Sequence, residues 1–271
     1  MITGLAVAGF GAGALITAPI ATRLIGTIGL PNTFAVLGIV YLVMVLGAAL
    51  FMQDPPSGYK PAGWAPPIAS RRQHATAYTL GGALRSWQWY GLWALLFLNT
   101  TAGIAIISQA APMAQEIAHV SAATAAAMVG LISIANGVGR LFWAWLSDVT
   151  GRRTVFLIMF PLQAVAFWLL PSAGSVTAFG ALALIILLCY GGGFGTMPAF
   201  AADYFGAEHV GSIYGLMLTA WSFAGVLGPT LIASLRESTG SYNQAMYLIA
   251  GLMLVSAVIP LLVRPPIADA A

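Results

Sequence analysis

The sequence predicts an all-α fold, a polytopic transmembrane helical bundle with eight spans. Apolar residues make up 60% of the 271 residues and charged residues only 6%, whereas soluble domains carry roughly 25% charged residues. The charges gather between long apolar stretches, as expected for a chain surrounded by lipid. Eight of those stretches approach the roughly 20 residues with which a helix crosses a hydrocarbon core of about 30 Å.

The predicted spans are separated by residues that favour turns, such as Gly29 and Pro31 after the first span and Ser147 to Gly151 after the fourth. The fifth span is short and contains Pro161. The chain opens directly onto an apolar run without a basic segment before it, so we expect no secretory signal peptide. The spans run approximately over residues 3–25, 33–53, 89–113, 121–146, 154–171, 175–202, 212–235 and 244–263.

A proline-rich and basic stretch, residues 54–88, predicts a linker between two membrane bundles. Residues 1–53 are then the last two helices of an N-terminal bundle, and residues 89–271 form a C-terminal six-helix bundle. Because two helices precede the linker and six follow it, we expect the N-terminal part of the protein to be missing from this chain.

The basic residues predict an orientation. If the linker is cytoplasmic, as the positive-inside bias indicates, the alternating loops place both chain ends on the cytoplasmic side of a cell membrane, the inner membrane if the source is bacterial. The arginines on that side are Arg152, Arg153 and Arg264, and those near the opposite face are Arg23 and Arg236.

Several functional classes find little support. The pI is about 9.2, but Lys60 is the one lysine, and the arginines form no stripe of the kind that binds nucleic acid. The single cysteine, Cys189, forms no intramolecular disulfide and indicates no metal cluster. Neither HExxH nor GxSxG occurs, so we expect no enzyme and no cofactor. A membrane-embedded enzyme, a channel or a structural membrane subunit remain the alternatives.

Arg140 is the ionisable residue predicted to lie deepest in a span. If Asp148 marks the cytoplasmic boundary, eight residues at 1.5 Å each place the Arg140 backbone roughly 12 Å inside the bilayer. Such a charge is expected to face a cavity or a partner. An arginine fork binds carboxylate through two hydrogen bonds, which points to a carboxylate substrate. Alternatively, Arg140 extends toward the cytoplasm or braces carbonyls of neighbouring helices.

Other residues could line the same cavity. Asn136 shares a helical face with Arg140, and Tyr190 and Phe194 lie four residues apart on one face of the sixth span. Trp221 and Asn99 are further candidates. For each of the last four residues, ordinary packing is the competing interpretation.

The glycines of the sixth span allow two interpretations. Gly191, Gly192, Gly193 and Gly195 precede Pro198. They would suit a helix that bends during transport or one that packs tightly against a neighbour.

A charged cluster ends the fourth span. Asp148 precedes Arg152 and Arg153 across a tight turn, and Asp203 or Glu208 could pair with them from the next cytoplasmic loop. The cluster could hold an inward gate shut, or its basic residues could only set the membrane topology.

The segment AWLSDVTGRR resembles the repeated loop signature of the major facilitator superfamily, which has a glycine, three residues, an aspartate, a basic residue, any residue, a glycine and two basic residues. Ala144 and Val149 depart from that signature. FLNTTAGIAIISQAAPMAQE, NGVGRLFWAWLSD and ADYFGAEHVGSIYGLMLTAW are similar to the oxalate/formate antiporter family within it. The resemblance covers essentially the whole chain, aligned with helices five to twelve of twelve, so that the first four helices are lacking.

This resemblance implies an anion pocket between two six-helix bundles, in which Arg140 matches an arginine that meets the substrate carboxylate. Tyr190 and Phe194 match aromatic positions of the pocket wall. The oxalate transporters also carry a lysine in the penultimate helix, and Trp221 occupies the matching position here. Without a second cation, one charge of a dicarboxylate would be unpaired. We therefore expect a small organic anion, a monocarboxylate, exchanged for a counter-anion or moved with a proton.

Overall fold

The computed structural model describes residues 2–53, 56, 59 and 77–266, and the part it describes is helical without strands. The predicted all-α fold class is confirmed. A short 3-10 turn, Leu170–Ser172, follows α6. The helices are α1 (Ile2–Ile28), α2 (Leu30–Ala49), α3 (Leu80–Arg85), α4 (Trp87–Ile117), α5 (Ala122–Thr150), α6 (Arg152–Leu169), α7 (Val176–Phe205), α8 (Val210–Met217), α9 (Thr219–Thr239), α10 (Asn243–Ser256) and α11 (Ile259–Leu262).

Within the described residues, seven helical segments are long and apolar enough to cross a membrane. They correspond to the second through eighth predicted spans, and α1 covers the first. Large apolar side chains such as Val149, Trp168 and Val255 point outward from the bundle. An apolar exterior of this kind is suited to lipid contact, and the chain is a multi-pass membrane protein.

Two compact units are present: Gly13–Arg72, and Met1–Ala12 together with Gln73–Ala271. In the first unit, the Thr17 and Tyr41 hydroxyls join α1 to α2 at 2.8 Å. Most of the predicted linker, residues 54–88, lies outside the described residues. Its last part contains α3, whose first turn is capped by the Thr79 hydroxyl. The assignment of residues 1–53 and 89–271 to two bundles stays a prediction.

Local signals begin and end the helices of the second unit. The hydroxyl of Ser121 caps α5, and that of Ser175 caps α7, each accepting a backbone N–H at 3.2 Å. Between α5 and α6, Gly151 has φ 94°, a conformation that disfavours side chains. This residue lets the chain reverse direction within one turn, so that α6 begins directly at Arg152.

Two predicted spans are interrupted rather than continuous. The span predicted over 212–235 consists of α8 and α9, which meet at Leu218. The span predicted over 244–263 consists of α10 and α11. Pro260 lies at the start of α11 and has no N–H to donate to the preceding helix, which explains the second interruption.

Among the glycines of the described residues, those between α5 and α7 mark the closest approach of two backbones. At three positions, a Cβ added to a glycine would overlap backbone atoms of the other helix: Gly139 on Leu188, Gly191 on Asn136 and Gly195 on Arg140. Only a residue without a side chain allows two backbones to approach so closely. Since α7 runs without interruption from Val176 to Phe205, these contacts favour the packing interpretation of its glycines.

Replacement of Gly195 by Ala should destabilise the bundle. The new Cβ would collide with the Arg140 backbone, which cannot move like a flexible side chain. Overpacking of this kind typically costs about 1–3 kcal/mol. We expect a lower midpoint of thermal unfolding in detergent micelles.

Gly180→Ala is the matched control on the same helix, since its Cβ would meet only the end of the Met128 side chain at 3.4 Å. It should be neutral or slightly stabilising, because alanine favours helix more than glycine does. Equal unfolding midpoints for the two variants would contradict the close packing of α5 on α7.

Candidate functional site

Arg140 lies on α5 with only 3% of its surface exposed. Its guanidinium carbon lies 5.1 Å from the centroid of the Phe194 ring on α7, within the range of a cation–π interaction. The Nε atom donates a long hydrogen bond of 3.5 Å to Oδ1 of Asn136, which is also buried. The side chain of Arg140 is therefore held inside the bundle, facing α7.

An aromatic wall extends from Phe194, formed by Tyr190, Phe194 and Trp221. The rings of Tyr190 and Phe194 meet edge to face at 5.4 Å, and those of Phe194 and Trp221 do so at 6.2 Å. Tyr190 and Trp221 also share a side-chain hydrogen bond. Trp221 remains 38% exposed, whereas Tyr190 and Phe194 are buried. The structure thus brings together five of the six residues named from the sequence.

Tyr214 of α8 is a neighbour that the sequence analysis missed. Both Tyr190 and Tyr214 lie close enough to Arg140 to interact with it electrostatically. The available signal was the spacing, because in the continuous span predicted over 212–235 Tyr214 precedes Trp221 by seven residues, about two helical turns.

The chemistry of this cluster favours an anion. A guanidinium buried among aromatic rings has lost most of its water, which is costly for a charge. A carboxylate beside it restores favourable electrostatics and uses the planar fork of donors. The aromatic rings provide an apolar surface for the remainder of a small ligand.

Asn99, the sixth residue, contacts the backbone of the aromatic wall rather than its rings. Its Nδ2 donates to the backbone oxygen of Tyr190 at 3.2 Å, and its Oδ1 accepts from Nε2 of Gln163 at 2.8 Å. Asn99 and Gln163 are both fully buried. Asn99 is thus bonded to the backbone of the wall and to Gln163, a residue that the sequence did not indicate, and its contact with a substrate stays a prediction.

The charged cluster predicted at the cytoplasmic end of α5 is partly assembled. Arg152 binds Asp148 at 2.6 Å and Asp203, from the end of α7, at 3.1 Å. Glu208 lies 4.0 Å from His209 rather than against the arginines.

Arg153, also part of the predicted charged cluster, points toward the end of α11. It donates to the backbone oxygens of Pro260 at 2.7 Å and Leu261 at 2.9 Å. A cation at this position satisfies carbonyls that a helix end leaves open. The structure does not bring Arg153 to the acidic residues, because neighbouring positions at the start of α6 point in different directions. Its part in a gate stays a prediction.

A second ionic cluster closes the opposite end of the bundle. Two nitrogens of Arg236 bind Oε2 of Glu116 at 3.0 and 2.7 Å, joining α9 to α4. Arg236 also lies over the ring of Tyr242, whose hydroxyl donates to Gln109 at 3.1 Å. Burial and the nearby Glu116 carboxylate raise the pKa of Tyr242, against the opposing effect of Arg236. The sequence indicated only an orientation for Arg236, and this cluster was not predictable from it.

Among the residues that the structure describes, no three His, Cys, Asp or Glu side chains form a group that could hold a metal ion. Cys189 is buried within α7.

Comparison with known proteins relates this arrangement to a transporter family. The chain is 29% identical to the uncharacterized MFS-type transporter YhjX of Escherichia coli over 83% of its length, and 24% identical to the oxalate:formate antiporter of Oxalobacter formigenes over 98%. It spans 55% and 63% of those two proteins.

A crystal structure of a bacterial homolog of the human lysosomal transporter Spinster, inward-facing and unoccupied, shares the fold. The TM-score is 0.57 at 16% identity, with 91% of this chain and 64% of that chain covered. The model of the Major Facilitator Superfamily matches residues 1–229 and again 92–270. The chain therefore belongs to the Major Facilitator Superfamily.

Proposed function

We propose that this protein is a secondary active transporter that moves a small organic anion, a monocarboxylate, across a cell membrane. The observation that carries the proposal is that Arg140, in the second half of α5, is only 3% exposed and that its guanidinium lies over the Phe194 ring. Intramembrane charges of this kind mark substrate and ion pathways.

Different side chains of the site would contact the carboxylate and the apolar part of such an anion. The carboxylate accepts hydrogen bonds from the Arg140 fork, with Asn136 one turn away on the same helix. The apolar part of the anion lies along the aromatic wall. Burial of the site strengthens this attraction, because water screens a charge pair much less there than at a surface.

The distribution of positive charge favours one carboxylate over two. In the described part of the bundle, residues 77–266, the remaining arginines lie at helix ends or beyond them. They are Arg85, Arg152, Arg153, Arg236 and Arg264. Trp221 joins the aromatic wall at the position where the resemblance implies a lysine. A second carboxylate would therefore be buried against a ring rather than a cation.

The resemblance to the oxalate:formate antiporter supports exchange for another anion, and proton symport is the competing mode. In either mode, the cluster of Asp148, Arg152 and Asp203 is proposed to act on an inward gate, because it ties α5 and α7 to the start of α6. Both ends of the chain are proposed to face the cytoplasm, where the positive-inside bias places this cluster.

Substitution of Arg140 by Gln should weaken carboxylate binding by about 10-fold to 100-fold, the range expected for a charged hydrogen bond worth 1.5–3 kcal/mol. Arg140→Lys should recover only part of the loss, since a point charge lacks the planar fork. The measurement is formate-dependent thermal stabilisation in detergent, together with counterflow uptake into proteoliposomes.

The exposed Arg264 provides the control for this experiment, as Arg264→Gln removes the same charge outside the site. Its affinity for formate should equal that of the wild type. Unchanged affinity and uptake in a normally folded Arg140→Gln protein would refute the proposed function.

Competition between anions tests the number of carboxylates. Formate, lactate and pyruvate should each compete for uptake more effectively than oxalate, because oxalate brings a second charge to the Trp221 side of the site. The measurement is the concentration of each anion that halves the uptake of labelled formate. Stronger inhibition by oxalate than by the three monocarboxylates would contradict the single-carboxylate site.

Asp203→Asn tests the gate. Loss of one carboxylate on Arg152 should change the maximal counterflow rate by up to about fivefold, the effect of an exposed ion pair worth at most about 1 kcal/mol. The KM should stay constant, because Asp203 does not touch the site. Glu208→Gln, an exposed carboxylate outside the cluster, is the control, and identical rates for both variants would remove the gating role.

A further inference from the structure

Behind the aromatic wall, two buried amides connect three helices. Gln163 of α6 donates to Asn99 of α4 at 2.8 Å, and Asn99 donates to the backbone oxygen of Tyr190 on α7 at 3.2 Å. We call this chain, from Gln163 through Asn99 to the Tyr190 carbonyl, the amide relay. It ends on a residue of the wall that faces Arg140.

Stability alone is a poor explanation for the relay. Both side chains are fully buried, and Oε1 of Gln163 has no hydrogen-bond partner among the described residues. An unsatisfied buried acceptor is unfavourable, and apolar side chains of the same shape can replace a buried polar pair without loss of stability. The amides must therefore be explained by what they hold in place.

The relay holds Tyr190 together with a second contact from α4. A Cβ on Gly103, one turn beyond Asn99, would overlap the Tyr190 ring, and a Cβ on Gly193 would overlap Nδ2 of Asn99. Helix α4 thus contacts Tyr190 at its ring through Gly103 and at its carbonyl through Asn99. These two contacts limit both translation and rotation of Tyr190 relative to α4.

The Asn99 amide is oriented by partners on both sides. The Tyr190 carbonyl can only accept, so Nδ2 of Asn99 must face it, and Nε2 of Gln163 donates to the Oδ1 that then points the other way. If Asn99 turned over, two donors would meet at Gln163 and two acceptors at Tyr190. Without Gln163, Oδ1 of Asn99 loses its donor, and the hydrogen bond to the Tyr190 carbonyl loses the contact that supports it from the other side.

We propose that Gln163 is a positioning residue for the substrate, acting through Asn99 on Tyr190. The inference rests on the proposed function, since it assigns a role in carboxylate binding to a residue that does not touch the site. Tyr190 meets Phe194 at 5.4 Å, and Phe194 lies under the Arg140 guanidinium. A displaced Tyr190 therefore alters the surface on which the anion rests beside Arg140.

The test compares Gln163→Met with the double variant Asn99→Leu/Gln163→Met. The single variant should raise the KM for formate about 10-fold to 100-fold, the loss expected from a misplaced binding surface. The double variant has no unsatisfied amide and should unfold at a temperature equal to or above that of the wild type, yet retain the raised KM. Exchange of the two amides, Asn99→Gln/Gln163→Asn, should restore part of the affinity.

Ser256→Ala is the control, because Ser256 is a buried hydroxyl that bonds only within its own helix, to Leu252. Its KM should match that of the wild type. A double variant with wild-type KM and normal stability would overturn the positioning role and leave Gln163 as a packing residue.

Near-ultraviolet circular dichroism of the ligand-free protein separates this inference from the proposed function. The spectrum of the aromatic wall should change in Gln163→Met whatever anion is carried. If formate does not bind the wild type, the proposed function fails while this spectral change still tests the relay. An unchanged spectrum in both Gln163 variants would overturn the relay.

Discussion

The close contact between α5 and α7 determines the geometry of the candidate site. The backbone carbonyl of Arg140 packs directly against Gly195. The preceding residue, Phe194, lies under the guanidinium of the same arginine. The position of the cation relative to its aromatic neighbour thus follows from how near the two backbones can come. A larger residue at Gly195 would change the position of Arg140 relative to Phe194 without altering either side chain.

Charge is arranged along the bundle in three layers. Asp148, Arg152 and Asp203 pair at one end, and Glu116 and Arg236 pair at the other. Both end clusters pair acidic with basic side chains near the surface, where an ion pair contributes little to the free energy of folding. Arg140 lies between them among apolar side chains, where an added anion gains the most. This contrast supports the proposal that the end clusters act on gates and that the anion binds at Arg140.

Features that depend on spacing within one helix were predictable from the sequence. Arg140 with Asn136, and Tyr190 with Phe194, share faces because positions four residues apart do so in every α-helix. The spans themselves followed from apolar length. Contacts across helices were not predictable, because they depend on how each helix is rotated about its axis. This is why Gln163 and the Glu116–Arg236 pair could not be predicted, and why the contacts of Arg153 with Pro260 and Leu261 could not be predicted either.

A crystal structure of the protein with bromoacetate, a monocarboxylate whose bromine can be located by anomalous scattering, would show directly where the anion binds. We expect the carboxylate to lie within hydrogen-bonding distance of Arg140, with bromine against Tyr190, Phe194 or Trp221. Bromoacetate bound away from Arg140, for example at Arg152 or Arg236, would contradict this expectation.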